Sequence, residues 1–193
     1  LYGKYFPNRV TLDVAERPGI PVDILGDAHD LRMIGAASFE VILCTEVLEH
    51  LHTPEKAIAE FRRILTPGGL LLLTTRFIYP LHDVPGDYYR YTRYGLRHLL
   101  RDFVIVDFKE EAGTMETLAV LYQRIGFQCE TLGWRPFKFL WFLKARAVLL
   151  FRWILSSEYG DIGNKKAEEN ILCSGYYAAA RKEEGEREGP CPN

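Results

Sequence analysis

Two carboxylates close short apolar runs near the start of the chain: Asp13 ends Arg9 to Val14 (RVTLDV), and Asp27 follows Val22 to Gly26. In a nucleotide-type site, an acid at the end of one strand accepts hydrogen bonds from both ribose hydroxyls. An acid at the end of the next can accept from an adenine amino group. Either aspartate alone can equally start a turn; the pair, placed ahead of a long apolar unit, favours a ligand. A second group, Glu46, Glu49 and His50, follows the unbroken apolar run Phe39 to Cys44. His50 can reach a site at that strand end or cap the turn. A third lies in RFIYPLHDVPGDYYRYTRYG, where His82 stands beside Asp83. An imidazole next to a carboxylate suits a general base or a substrate contact. Tyr88, Tyr89, Arg90 and Tyr91 can form an aromatic and cationic lid, or the segment can be a loop packed by its own aromatics. His82, Asp83 and Asp87 lack the spacing of a divalent-ion ligand set, so no metal is read from them.

The elements that must position these residues centre on positions 39 to 75. Phe39 to Thr45 and Leu70 to Thr75 are apolar runs bounded by breakers, which suits strands buried on both faces of a parallel sheet. Between them Pro54 to Leu65 reads as a helix, with Thr53 as N-cap, Pro54 at the first position and Glu55 in the first turn. Ile58, Phe61 and Leu65 give it one apolar face, and Pro67-Gly68-Gly69 stops it. Strand, helix, strand is a βαβ unit, and an open sheet of this kind binds ligands beyond the carboxyl ends of its strands. Phe103 to Phe108 and Ile171 to Arg181 read as further strands, Gly95 to Leu100 as the end of a short helix, and Glu116 to Ile125 as helical.

Pro136 to Leu155 is a helix in which Leu140, Leu143, Ala147, Leu150, Phe151 and Ile154 form one apolar stripe. Lys138, Arg146 and Arg152 gather opposite, with Lys144 near the edge. Four cations argue against a membrane span. The helix either packs on the domain or makes peripheral contact, through 136–155, with an anionic membrane or a lipid-like acceptor.

The 193 residues fit one domain, and a net charge of −2 gives no reason to invoke nucleic acid. The four cysteines lack metal or redox spacing. Cys44 and Cys173 lie in apolar runs and read as small buried hydrophobes, which suits a reducing cytoplasm. Lys182 to Asn193 carries charge, Gly and Pro and reads as a disordered tail.

The strings TLDV, GDAHDL, SFEVILCTEVLEHL, PEKAIAEFRRILTPGGLLLLTT and GYYAAARK resemble the class I S-adenosylmethionine-dependent methyltransferases, specifically the type 11 group. The resemblance implies an α/β, Rossmann-like sandwich with a mostly parallel sheet, occupying residues 1–181 with a helical insertion at about 113–165. It implies S-adenosyl-L-methionine as cofactor and a small-molecule acceptor. Asp13 would hold the ribose, Asp27 and Ala28 would line the adenine, and Thr45, Glu46 and Val47 would line the methionine end. The segment bearing His82, Asp83, Tyr88, Tyr89 and Arg90 would lie over the methyl group. The family's G-x-G-x-G loop is absent from the sequence. The resemblance therefore implies that the first, central strand is missing, and that this segment alone is poorly stable and binds cofactor weakly. A non-catalytic methyltransferase-like subunit and a membrane-surface scaffold are the alternatives to an enzyme.

Overall fold

In the computed structural model, residues 6–16, 18–154, 158–161, 163, 166–167 and 170–184 are described. The long apolar runs become the two strands the sequence predicts. β3 (Phe39–Thr45) lies parallel to β4 (Leu65–Arg76), with Ile42 opposite Leu71 and Thr45 opposite Thr74. Helix α1 (Pro54–Ile64) connects them and buries Pro54, Ala57, Ile58, Phe61 and Ile64, the stripe expected of a helix packed on a sheet. Its end follows from Thr66-Pro67-Gly68-Gly69, which loops out between the paired Phe39–Leu65 and Val41–Leu70 positions, with Gly68 at φ 78°.

β5 (Val104–Glu110) and β8 (Gly175–Arg181) complete a four-stranded sheet in the order β3-β4-β8-β5. β8 is antiparallel to both neighbours, so three strands point one way and the last is reversed. β1 (Leu12–Asp13) and β2 (Ile24–Leu25) form a separate parallel pair, shorter than the runs read from the sequence. This is the mixed, mostly parallel sheet of an α/β fold. β3 was expected to be buried on both faces. Instead Val41 and Leu43 are partly exposed, because among the described residues β3 pairs with β4 alone.

The core gathers Leu31, Leu48, Leu65, Leu71, Leu96 and Leu100 around the β4–β8 pair. Cys44 and Cys173 are buried in it as expected, and burial pushes the Cys44 thiol up to about 12, far from reactivity at neutral pH. Cys191 lies outside the described residues. α2 (Arg93–Leu99) is capped by the Thr92 hydroxyl, which accepts from the Gly95 N–H at 3.0 Å.

The expected insertion falls on a helical hairpin, α3 (Thr114–Thr131) and α4 (Arg135–Leu150), followed by the short strands β6 (Tyr159–Asp161) and β7 (Lys166–Ala167). The helices pack mainly on each other. Gly126 lets the Phe142 ring approach, and Trp141 lies on Tyr122 at 5.7 Å between ring centres. Of α4 only Ala145 is fully buried. Lys182, read from the sequence as the start of a disordered tail, is instead part of the packed domain. It is buried, its backbone pairs with Gly68 and Gly69, and its ammonium donates to the Leu65 carbonyl at 2.9 Å. Positions 185–193 lie outside the described residues.

Candidate active site

The carboxyl ends of β1, β2 and β3 carry the residues that the sequence singled out. The Asp13 carboxylate accepts from the Ala15 N–H at 3.2 Å, a turn-forming bond. Asp27 accepts from the backbone N–H of His29 at 2.9 Å and meets the His29 ring at 2.6 Å. The backbone bond chiefly holds the Asp27 carboxyl below its ordinary range. Ala28 is buried in the core. α1 fixes this loop: Glu60 accepts from the Leu31 N–H at 2.8 Å, and Arg63 donates to the carbonyls of Leu31 and Ile34. His29 in turn meets His52 at 2.9 Å and accepts from the Thr53 N–H at 3.3 Å. The loop after β2 and the turn after β3 therefore face one another.

That turn is held under backbone strain. Glu46 sits at φ 54°, in the left-handed region that a side chain with a Cβ disfavours. Its N–H donates to the Thr74 carbonyl at 3.1 Å, and its carboxylate accepts from the Thr74 hydroxyl at 2.7 Å and pairs with Arg76. Burial pushes the Glu46 carboxyl up, and the Thr74 hydrogen bond opposes it. Arg76 also meets Glu111 at 2.6 Å and lies over the Tyr79 ring. Thr45 and Val47 flank Glu46, and Val47 is open to solvent.

Three residues further on, Glu49 is wholly buried. Its Oε2 accepts from the Thr75 hydroxyl at 2.8 Å, while Oε1 has no hydrogen-bond partner among the described residues. His82 Nε2 lies 3.9 Å from that oxygen, and the rings of His50 and His82 meet edge-on at 4.8 Å between centres. The segment after β4 is stitched over this turn. The N–H groups of Tyr88 and Tyr89 both donate to the Glu49 carbonyl, Tyr89 donates its hydroxyl to the His52 carbonyl, and buried Tyr91 donates its own to the Leu48 carbonyl. The long structureless stretch is thus a lid packed on the strand ends.

Two expectations for the lid are corrected by its geometry. His82 and Asp83 are neighbours in sequence but not partners. Asp83 turns outward at φ 49° and is exposed, and the acid beside the His82 ring is Asp87, at 3.5 Å. Arg90 does not face an acceptor. Its five N–H donors are taken by both Asp87 oxygens and the carbonyls of Tyr79, Pro80 and Tyr89. It is the internal brace of the lid, leaving Tyr88 and Tyr89 as the exposed aromatic surface. The sequence reading gave no role to Glu49 and set Asp87 aside. The signal available for Glu49 was a second acid three positions after Glu46 in a turn at a strand end. A cleft at the foot of the hairpin, between Gly113–Glu116 and Arg152–Trp153, contains none of these residues.

The strand order of the sheet and the helix packed on it define a Rossmann-like α/β fold. Residues 7–73 match the family described as "Methyltransferase domain", so the resemblance seen in the sequence is borne out over that stretch. The chain is 32% identical over 69 residues to thiol S-methyltransferase TMT1B of Homo sapiens, a similarity that takes in 35% of this chain and 28% of the relative. A Bacillus halodurans C-125 protein assigned as a methyltransferase superposes with a TM-score of 0.52 at 15% identity, covering 94% of this chain and 86% of that one. That likeness shows the fold. The 1,6-didemethyltoxoflavin-N1-methyltransferase of Burkholderia thailandensis, with its substrate and S-adenosylhomocysteine bound, gives 0.49 at 18% identity, covering 94% and 64%.

Proposed function

We propose that this chain serves S-adenosylmethionine-dependent methyl transfer to a small-molecule acceptor. The observation that carries the reading is that Asp13, Asp27 and the Thr45-Glu46-Val47 turn each close or follow a strand of a parallel pair, within the stretch that matches the methyltransferase family, and that His29 joins the loop after β2 to His52 and Thr53. The donor set suits that molecule. Carboxylates at two successive strand ends can accept from ribose hydroxyls and an adenine amino group, and buried Ala28 offers an apolar wall. S-adenosylmethionine, when bound, supplies an activated methyl group on a sulfonium. The residues around it align the acceptor and exclude water. The lid does both, since its backbone is bonded to the Glu49 carbonyl and its exposed aromatics Tyr88 and Tyr89 rim the site. An acceptor bearing an O–H or S–H group must also lose a proton, and the Glu49–His50–His82 cluster under the lid is the part of the site suited to that task. The partial similarity to a thiol S-methyltransferase makes a small thiol the first acceptor to test.

Titration of S-adenosylmethionine into the protein, with Asp13→Ala beside it, tests the reading. Loss of even one hydrogen bond to a charged acceptor, about 1.5–3 kcal/mol, should weaken binding by at least about ten- to a hundredfold. Equal affinity of the two would remove Asp13 from the site. No binding by either would remove the reading for this segment, and no binding by a chain extended upstream would favour the non-catalytic subunit.

A second property is favoured by the hairpin, and it is independent of the chemistry. The stripe Leu140, Leu143, Leu150 and Phe151 does not pack on the domain; all four side chains are exposed, as are Phe139 and Trp153. The face toward α3 is instead Trp141, Phe142 and Ala145. At 100° per residue, Arg146 flanks the outward stripe on one side and Lys144 on the other, and α4 contains no acidic residue. Aromatic and aliphatic groups between cations suit the interface of an anionic bilayer. No helix among the described residues is long and apolar enough to cross one. Peripheral attachment is therefore proposed. Each basic residue at such a surface contributes about 1 kcal/mol, so a Lys144→Gln/Arg146→Gln double variant should bind phosphatidylserine vesicles about thirtyfold more weakly in a sedimentation assay. Wild-type indifference to anionic lipid would remove the proposal.

A further inference from the structure

We propose that Glu49, His50 and His82 form a binding site for a divalent d-block cation such as Zn2+ or Mn2+, which holds the acceptor's sulfur or oxygen as an additional ligand. The part about the acceptor rests on the methyl-transfer reading; the cation site itself rests on geometry alone. One potential ligand atom from each of the three side chains lies within 4.8 Å of the other two. The buried carboxylate oxygen Glu49 Oε1 has no hydrogen-bond partner among the described residues and points toward His82, with Nε2 at 3.9 Å. A buried, unpartnered carboxylate oxygen is costly, and a cation removes that cost.

The neighbours prepare both imidazoles as ligands. His50 Nδ1 is 2.7 Å from the Gly86 carbonyl oxygen, which can only accept, so Nδ1 carries the proton and Nε2 keeps its lone pair. His82 Nδ1 faces the Pro80 carbonyl at 3.3 Å and Asp87 Oδ2 at 3.5 Å, again acceptors. Its bare nitrogen is then Nε2, the one aimed at Glu49. Two lone-pair atoms facing each other across 3.9 Å need a positive charge between them. Ligating histidines characteristically donate their other N–H to a carbonyl or carboxylate in this way. Thr75 orients Glu49 in the same sense, by donating to the oxygen that the cation does not need.

Two imidazoles and one carboxylate select a borderline d-block ion over Mg2+ or Ca2+, and three protein ligands leave positions open. Tetrahedral Zn2+ bonds of 2.0–2.1 Å place donor atoms about 3.3 Å apart. Binding therefore draws the lid residue His82 inward by roughly 0.6 Å toward buried Glu49. On the open side an acceptor X–H binds through X. Its proton goes to solvent, and the electron pair left on X forms the bond to the methyl group as the sulfonium S–CH3 bond breaks, its electron pair staying on the sulfur of the departing S-adenosylhomocysteine.

The rival occupant is a proton, with His82 as an imidazolium against Glu49 and no metal. The test is run on chelator-treated protein with Zn2+ alone by calorimetry and with Co2+ alone by its d–d absorption, neither of which depends on activity. One equivalent should bind, with the visible band of a four- or five-coordinate ion. His82→Ala should lower affinity by about a hundredfold, and isosteric Glu49→Gln should do likewise. A thermal melt and the S-adenosylmethionine titration serve as fold controls. Absence of stoichiometric uptake, or uptake unchanged in both variants, overturns the site. Methyl transfer that survives the chelator with no metal bound overturns the cation's role in holding the acceptor, while leaving the methyltransferase reading intact. Metal uptake without S-adenosylmethionine binding would do the reverse.

Discussion

Asp87→Asn should destabilise the protein by about 2–4 kcal/mol, a fall in melting temperature of about 4–16 °C for a domain of this size. The Asp87 side chain is 1% exposed, and both its oxygens bond the Arg90 guanidinium at 2.6 Å. It also accepts from the His82 N–H at 3.0 Å. Replacing one oxygen by an NH2 group sets donor against donor and leaves Arg90 a partly buried cation without its counter-ion. Breaking a fully buried pair costs about 3–5 kcal/mol; Arg90 is 23% exposed, which lowers the expected figure. The pH dependence follows in sign. The hydrogen bonds from Arg90, foremost, and from His82 hold the Asp87 carboxyl far below its ordinary value, with burial opposing. A carboxyl depressed in the folded state stabilises fully above its unfolded value of about 3.9 and loses that contribution as pH falls toward the folded one. Wild type should therefore lose stability steeply below about pH 4, and Asp87→Asn less so. Urea titrations at neutral and acid pH measure both. Coincident curves would show that the lid is held by something else.

Gly175→Ala should be nearly as severe, at about 3 kcal/mol. Gly175 begins β8 opposite Arg76, and a Cβ there would lie 2.3 Å from the Thr75 carbonyl oxygen and 3.3 Å from a Glu111 carboxylate oxygen. Backbone cannot yield as a side-chain end would, so β4 and β8 must part locally. The displacement falls at the site. Thr75 bonds Glu49 and Arg76 pairs with Glu46, so both acids of the turn after β3 are anchored on the two residues that must move. The expected result is a lower melting temperature together with weaker Zn2+ uptake. An unperturbed melt would mean that the strand pair accommodates the methyl group.

The parts of this protein legible in its sequence are those set by local periodicity and by chain breakers. β3, α1 and the bulk of β4 follow from two apolar runs, one helical stripe and Pro67-Gly68-Gly69, because burial of a continuous apolar run needs no knowledge of its partner. Asp13, Asp27 and the turn at Thr45 to Val47 follow too, since an acid after a strand is placed by the strand itself. The α4 stripe was also legible as a stripe, but its direction was not. Periodicity shows that a helix has two faces, and only the fit of Trp141, Phe142 and Ala145 against α3 decided which one turned inward.

The lid belonged to the tertiary structure for the same reason, at longer range. Sequence adjacency pointed to His82 with Asp83, yet the left-handed backbone at Asp83 turns that acid away, and the chain brings in Asp87 and the distant Glu49 instead. Arg90 looked like a cation free to meet a substrate. Its donor count is filled only once the carbonyls of Tyr79, Pro80 and Tyr89 are folded around it. The sequence by itself determined the sheet's strands and the acids at their ends, because each depends on residues a few positions apart. Only the tertiary structure decided which side chains share the buried space under the lid, because that depends on contacts between segments about thirty residues apart, made when the lid closes on the turn after β3.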